Sequence, residues 1–173
     1  MVRSTMMAVM FCTLLVSACT GSNGSQPVND SQAVGEGGWL QGNTNEKLEV
    51  VARQLRGFDM AMVETGYRFN ELYFAGEDQN WGSAKYHAEK IGTTIRNGLE
   101  RRPKRAASAE TFLNIVLPEL LKAIEAQDRT LFRQRYQSML STCNTCHRDE
   151  KVEFIPVVQP SRRLTPTGPM LDQ

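Results

Sequence analysis

Apolar residues recur at three- and four-residue intervals from about residue 48 to 140, and no segment alternates as a strand would. The spacing predicts four helices. Asn43 followed by Glu46 has the form of a capping box opening the first. Its apolar stripe runs Leu48, Val51, Leu55, Phe58, Met62, Phe69 and Leu72, until "AGEDQNWG" interrupts it. A second stripe, Ala84, Ala88, Ile91, Ile95 and Leu99, stops before "RRPKR", where Pro103 is incompatible with a continuing helix. Ser108 is expected to cap the third helix, with Phe112, Val116, Leu120 and Ile124 inward and a kink at Pro118. Asp128 is expected to cap the fourth, which carries Leu131, Phe132, Tyr136, Met139 and Leu140. Four amphipathic helices with short connections predict an all-α chain arranged as an antiparallel four-helix bundle.

The flanks read differently. "MVRSTMMAVMFCTLLVSAC" has one early Arg3 and an apolar run too short to span a bilayer, so residues 1–18 read as a signal peptide. Its exit, "VSAC", resembles the bacterial lipobox, which makes Cys19 the expected lipid-attachment site. Thr20 in place of Asp favours the outer membrane by the same resemblance. Residues 19–42, rich in Gly, Ser, Asn and Gln, read as a flexible tether spanning roughly 25 Å. Beyond the fourth helix, "FIPVVQPSRRLTPTGP" holds too many prolines for a fifth. Phe154, Ile155, Val157 and Val158 are expected to pack across the bundle and close a domain over residues 43–158. Residues 159–173 read as a Pro-rich tail without fixed structure at its end.

Charge narrows the functional classes. The chain has 20 Lys and Arg against 19 Asp and Glu, and cleavage removes only Arg3. The exported portion is therefore balanced, which gives no electrostatic case for nucleic acid binding. No paired carboxylates, activated serine or phosphate loop appears. Two histidines leave little material for acid–base catalysis, so an enzyme is not expected.

Cys12 lies in the leader and Cys19 at its end, so Cys143 and Cys146 are the remaining two of four cysteines. They sit in "CNTCH". On a helix, Cys143, Cys146 and His147 fall three and four residues apart and share a face. CxxCH is the signature of covalent haem attachment, and export suits it. A disulfide or redox dithiol competes, as does a zinc site. However, a thioredoxin-like dithiol opens a helix instead of ending one, and adjacent Cys146 and His147 close poorly around a tetrahedral ion.

A chain of four helices with CxxCH ending the last resembles the cytochrome c prime superfamily, over about residues 43–158. The resemblance is strongest in "FAGEDQNW", "RRPKR" and "CNTCH…FIPVVQP". It implies one haem c held by Cys143 and Cys146, with His147 as axial iron ligand and Lys151 as a basic residue on the proximal side. Glu150 stands where an aromatic is often found. Members of the superfamily often pair through their helices, so a homodimer is within what the resemblance implies.

The superfamily divides at the sixth iron position. Some members supply a first-helix methionine and carry electrons, while others leave the position open behind an apolar side chain and bind NO or CO. Met62 lies on the inward stripe and is the candidate sixth ligand; Met62 or Phe69 would shield an open site. Met60 is expected exposed and Met139 in the core. His87 is a remote candidate ligand, its simpler reading being an exposed helical histidine. Arg101, Arg102, Lys104 and Arg105 form a basic loop suited to an acidic redox partner, lipid headgroups or a haem propionate. The expected function is single-electron transfer between redox partner proteins in the periplasm, by a lipid-anchored monohaem cytochrome. A five-coordinate gas-binding protein is the alternative.

Overall fold

The computed structural model describes residues 30–169. The expected leader, Cys19 and the start of the expected tether, within residues 1–29, and residues 170–173 lie outside the described residues. Among the described residues the chain is all-α apart from one isolated bridge between Val34 and Leu40. It divides into two compact units, one ending at Lys47 and the other beginning at Leu48.

In the first unit the bridge closes with two 3.0 Å hydrogen bonds around a 3-10 turn, Glu36–Gly38. Gly35 sits at φ 84°, and a Cβ there would strike the Trp39 indole at 2.5 Å. The expected capping box is present: the Asn43 amide donates to Glu46 at 2.8 Å, and the Glu46 amide donates to the Asn43 side chain at 3.1 Å. Asp30 adds a clasp by accepting from the Thr44 amide at 2.7 Å.

The first predicted helix is two. α1, Thr44–Leu55, buries no residue, and Leu48 and Leu55 remain exposed. The inward stripe begins only at Phe58, where α2, Phe58–Glu77, starts. Arg56 adopts a left-handed φ of 58°, and the Gly57 amide turns to the Asp59 carboxylate at 3.1 Å. Local hydrogen bonding there competes with helix continuation, which spacing alone does not register.

α3, Trp81–Arg101, packs along α2, with Asn80 capping it through the Ser83 amide at 3.1 Å. The third predicted helix begins earlier than Ser108, after a 3-10 turn at Pro103–Arg105. α4, Ala106–Thr111, runs through a π-helical turn, Phe112–Val116, into α5, Leu117–Glu125. The wide turn, in which the Leu117 amide bonds to the Phe112 carbonyl, is the distortion expected near Pro118, whose ring crowds the carbonyl four residues back. Ser108 is not a cap: its hydroxyl donates to Glu150. α6, Arg129–Asp149, is capped as expected, Asp128 accepting from the Leu131 amide at 2.9 Å.

The core of the second unit takes Leu72 from α2, Ile91 from α3, Leu120 and Ile124 from α5, and Phe132, Tyr136 and Met139 from α6. Each such side chain contributes about 1.5–3 kcal/mol by leaving water. Tyr136 keeps its hydroxyl satisfied by donating to the Phe69 carbonyl at 3.0 Å.

After α6 the chain folds back as a strap. Its anchors are mostly polar: Phe154, Ile155 and Val158 are exposed, and Val157 alone of the four expected residues packs on the core. Anchorage also continues past residue 158. Asn70 donates to the Arg162 carbonyl at 3.0 Å, Glu71 accepts from Thr165 and Thr167 at 2.8 and 2.6 Å, and Arg163 pairs with Asp78 at 2.6 Å.

Candidate functional site

The last turns of α6 carry Cys143, Cys146 and His147 into an apolar crevice of about 290 Å3. Its facing wall is α2, with Phe58, Met62, Thr65, Gly66 and Phe69 on one helical face. Ile95, Ala109 and Phe112 form the floor, and Ile155, Pro156 and Val157 of the strap supply a third side. Nothing stands in front of Gly66, so the helix backbone itself borders open space.

The two thiols are free. Burial pushes Cys143 up to about 12, and burial followed by the Glu150 and Asp149 charges raises Cys146. Cys146, the nearer of the two to the C-terminus of α6, also meets the helix dipole, which opposes negative charge. Both cysteines are therefore poor thiolates, and a dithiol relay, which needs a thiolate nucleophile, fits the site badly. Among the described residues no three His, Cys, Asp or Glu side chains converge to hold a metal ion.

His147 is oriented. Its Nδ1 lies 2.6 Å from the Ile155 carbonyl, which can only accept, so Nδ1 carries a proton and, in the neutral ring, Nε2 holds the lone pair. Two thiols and one basic ring nitrogen on one helical face, bordering apolar walls, are a donor set that fits covalently held haem. Cys143, Cys146 and His147 would hold it.

Met62 enters the crevice, partly buried against the core, while Met60 is exposed and Met139 is fully buried. Thr65, one turn beyond Met62, has a buried hydroxyl oxygen without a partner among the described residues. Lys151 does not line the crevice; it is exposed, and at φ 62° it forms the left-handed turn that ends α6. Glu150 accepts from Arg105 at 2.7 Å, so part of the basic loop ties the end of α6 to the start of α4. His87, expected exposed, is buried at 7% and does not line the crevice. Burial holds its pKa below the ordinary value against the nearby Glu71 charge. The α3 stripe extends one position further round than spacing suggested, which brings His87 inside, between Tyr67 and Tyr86.

No protein-family model, curated protein or solved structure matches this chain. No described helix is long and apolar enough to cross a membrane. The site must therefore be read from its own residues, three of which spacing did not single out. Thr65 and Gly66 follow Met62 by three and four positions, so helical spacing places them on its face. The Ile155 carbonyl is a backbone group, and only the folded strap brings it to His147.

Proposed function

We propose that this chain is a lipid-anchored, monohaem c-type cytochrome that carries single electrons in the periplasm. In this reading α2, α3, the interrupted α4–α5 helix and α6 form an antiparallel four-helix bundle, and Cys19 holds the molecule at the membrane. The observation that carries the proposal is the meeting of Cys143, Cys146 and His147 with Met62 in one apolar crevice. Haem c would supply a reversible one-electron couple. Cys143 and Cys146 would fasten it, His147 would offer Nε2 to the iron, and Met62 would be the candidate further ligand from the facing helix. The apolar walls exclude water and disfavour the more highly charged oxidation state. Anchoring confines encounters with redox partner proteins to a shell near the membrane.

Thr65 and Gly66 favour a second reading. An unpartnered hydroxyl beside open space is suited to a small polar ligand such as NO or CO at an open sixth position.

One experiment separates these readings. The full chain is expressed with haem-attachment machinery, and absorption and resonance Raman spectra are taken in both oxidation states, beside Met62→Ala. A low-spin spectrum that turns high-spin in Met62→Ala is the expected result and supports the electron carrier. A high-spin wild type that shifts on adding CO supports the gas-binding reading. Absence of covalent haem sinks both.

A further inference from the structure

The strap between α6 and residue 157 is fastened around His147 in a way that electron transfer alone does not require. Asn144, the first variable residue inside CNTCH, clamps Val157 from both sides. Its Nδ2 donates to the Val157 carbonyl at 2.8 Å, and its Oδ1 accepts from the Val157 amide at 2.8 Å. The same Nδ2 lies 3.2 Å from the Leu140 carbonyl, which holds the amide against its own helix. At the other end of the loop, the Val152 amide closes on the His147 carbonyl at 2.8 Å and the Ile155 amide on Val152 at 2.9 Å. The Ile155 carbonyl, between these fixed points, meets His147 Nδ1 at 2.6 Å. Ile155 itself is exposed, so burial of its side chain does not hold that carbonyl in place.

We propose that Asn144 is a positioning residue for the axial histidine: by clamping Val157 it keeps the Ile155 carbonyl on His147 Nδ1 and so sets the reduction potential of the bound haem. The assignment rests on the cytochrome reading above. A hydrogen bond donated from Nδ1 makes the imidazole more electron-rich at Nε2. A stronger axial donor stabilises Fe(III) over Fe(II) and lowers the potential. Loosening the clamp weakens that donation, so the potential rises.

The test uses the haem-loaded full chain and compares wild type, Asn144→Ala and Gln159→Ala by redox titration. Gln159 is the strap's next fixing point, bonded to Gln137 at 2.6 Å and to the Tyr73 hydroxyl at 2.7 Å, and its side chain shares no hydrogen bond with Asn144 or Val157. The expected result is a higher potential in Asn144→Ala, worth roughly a tenfold gain in the Fe(II)/Fe(III) ratio, or about 59 mV for one electron. In a Met62→Ala background, where the ferrous iron would be five-coordinate, its iron–histidine stretch should fall with it, while Gln159→Ala stays at the values of its parent. An unchanged potential in Asn144→Ala overturns the assignment. An equal rise in both variants also overturns it, because strap packing in general would then be responsible. Should Asn144→Ala fail to hold haem, the near-isosteric Asn144→Leu is read by the same criteria. A wild type without covalent haem refutes the cytochrome reading itself, a result distinct from a loaded wild type whose variant does not move.

Discussion

A Cβ added to Gly76 in α2 would lie 2.0 Å from Cε1 of Phe132, which is fully buried. The ring has no alternative space because Trp81 and Tyr136 stand against it, with centroids at 6.0 and 5.9 Å. Gly76→Ala should therefore destabilise the fold by on the order of 3 kcal/mol through overpacking, read as a lower urea midpoint. The change lies outside the crevice, so the absorption spectrum of the folded protein should not alter. At the same scale, Cys143, His147 and Met62 were legible from spacing, because a helix puts positions three and four apart on one face. The burial of His87 was not. A histidine at the flank of a stripe is inside or outside according to what packs over it.

Among the elements, helix ends are built from local bonds. α2, α5 and α6 each finish with a left-handed residue that is not glycine: Gln79, Gln127 and Lys151. In each case the following amide closes back on the helix: Asn80 on Ala75 at 2.9 Å, Asp128 on Ala123 at 3.3 Å, and Val152 on His147 at 2.8 Å. Asp128 then serves twice, closing α5 with its amide and capping α6 with its carboxylate. Asp128→Ala should cost about 1 kcal/mol, seen as a lower denaturation midpoint with an unchanged denaturant slope. The caps at Asn43 and Asp128 were readable because their partners lie three residues away. The break at Arg56 and the displaced start of the third helix were not. Both depend on side chains that find partners outside the repeat, Asp59 with the Gly57 amide and Ser108 with Glu150.

At the scale of the molecule, ion pairs and the strap join elements far apart in the chain. Glu77 of α2 meets Arg133 at 2.7 Å and Arg129 at 2.8 Å, both on α6. The Arg133 hydrogen bond, outweighing partial burial and aided by Arg129, lowers its carboxyl from 4.5 to about 2. A lowered folded-state pKa means a contribution present above the unfolded value and lost as pH falls through the folded one. Thermal midpoints of wild type and Glu77→Gln should thus differ by a constant amount above pH 4.5 and converge toward pH 2. A difference that persisted unchanged at pH 2 would count against this pair. By itself the sequence determined the helical class, the caps that depend on near neighbours, and the CNTCH triad with Met62 on a facing stripe. These are properties of periodicity, which backbone geometry imposes locally. Only the tertiary structure decided that the Ile155 carbonyl meets His147, that Asn144 clamps Val157, that His87 is buried, and that the strap stays fastened as far as Thr167. Those contacts join residues distant in the chain, often through backbone carbonyls and amides that every residue carries, so no pattern of side chains announces them.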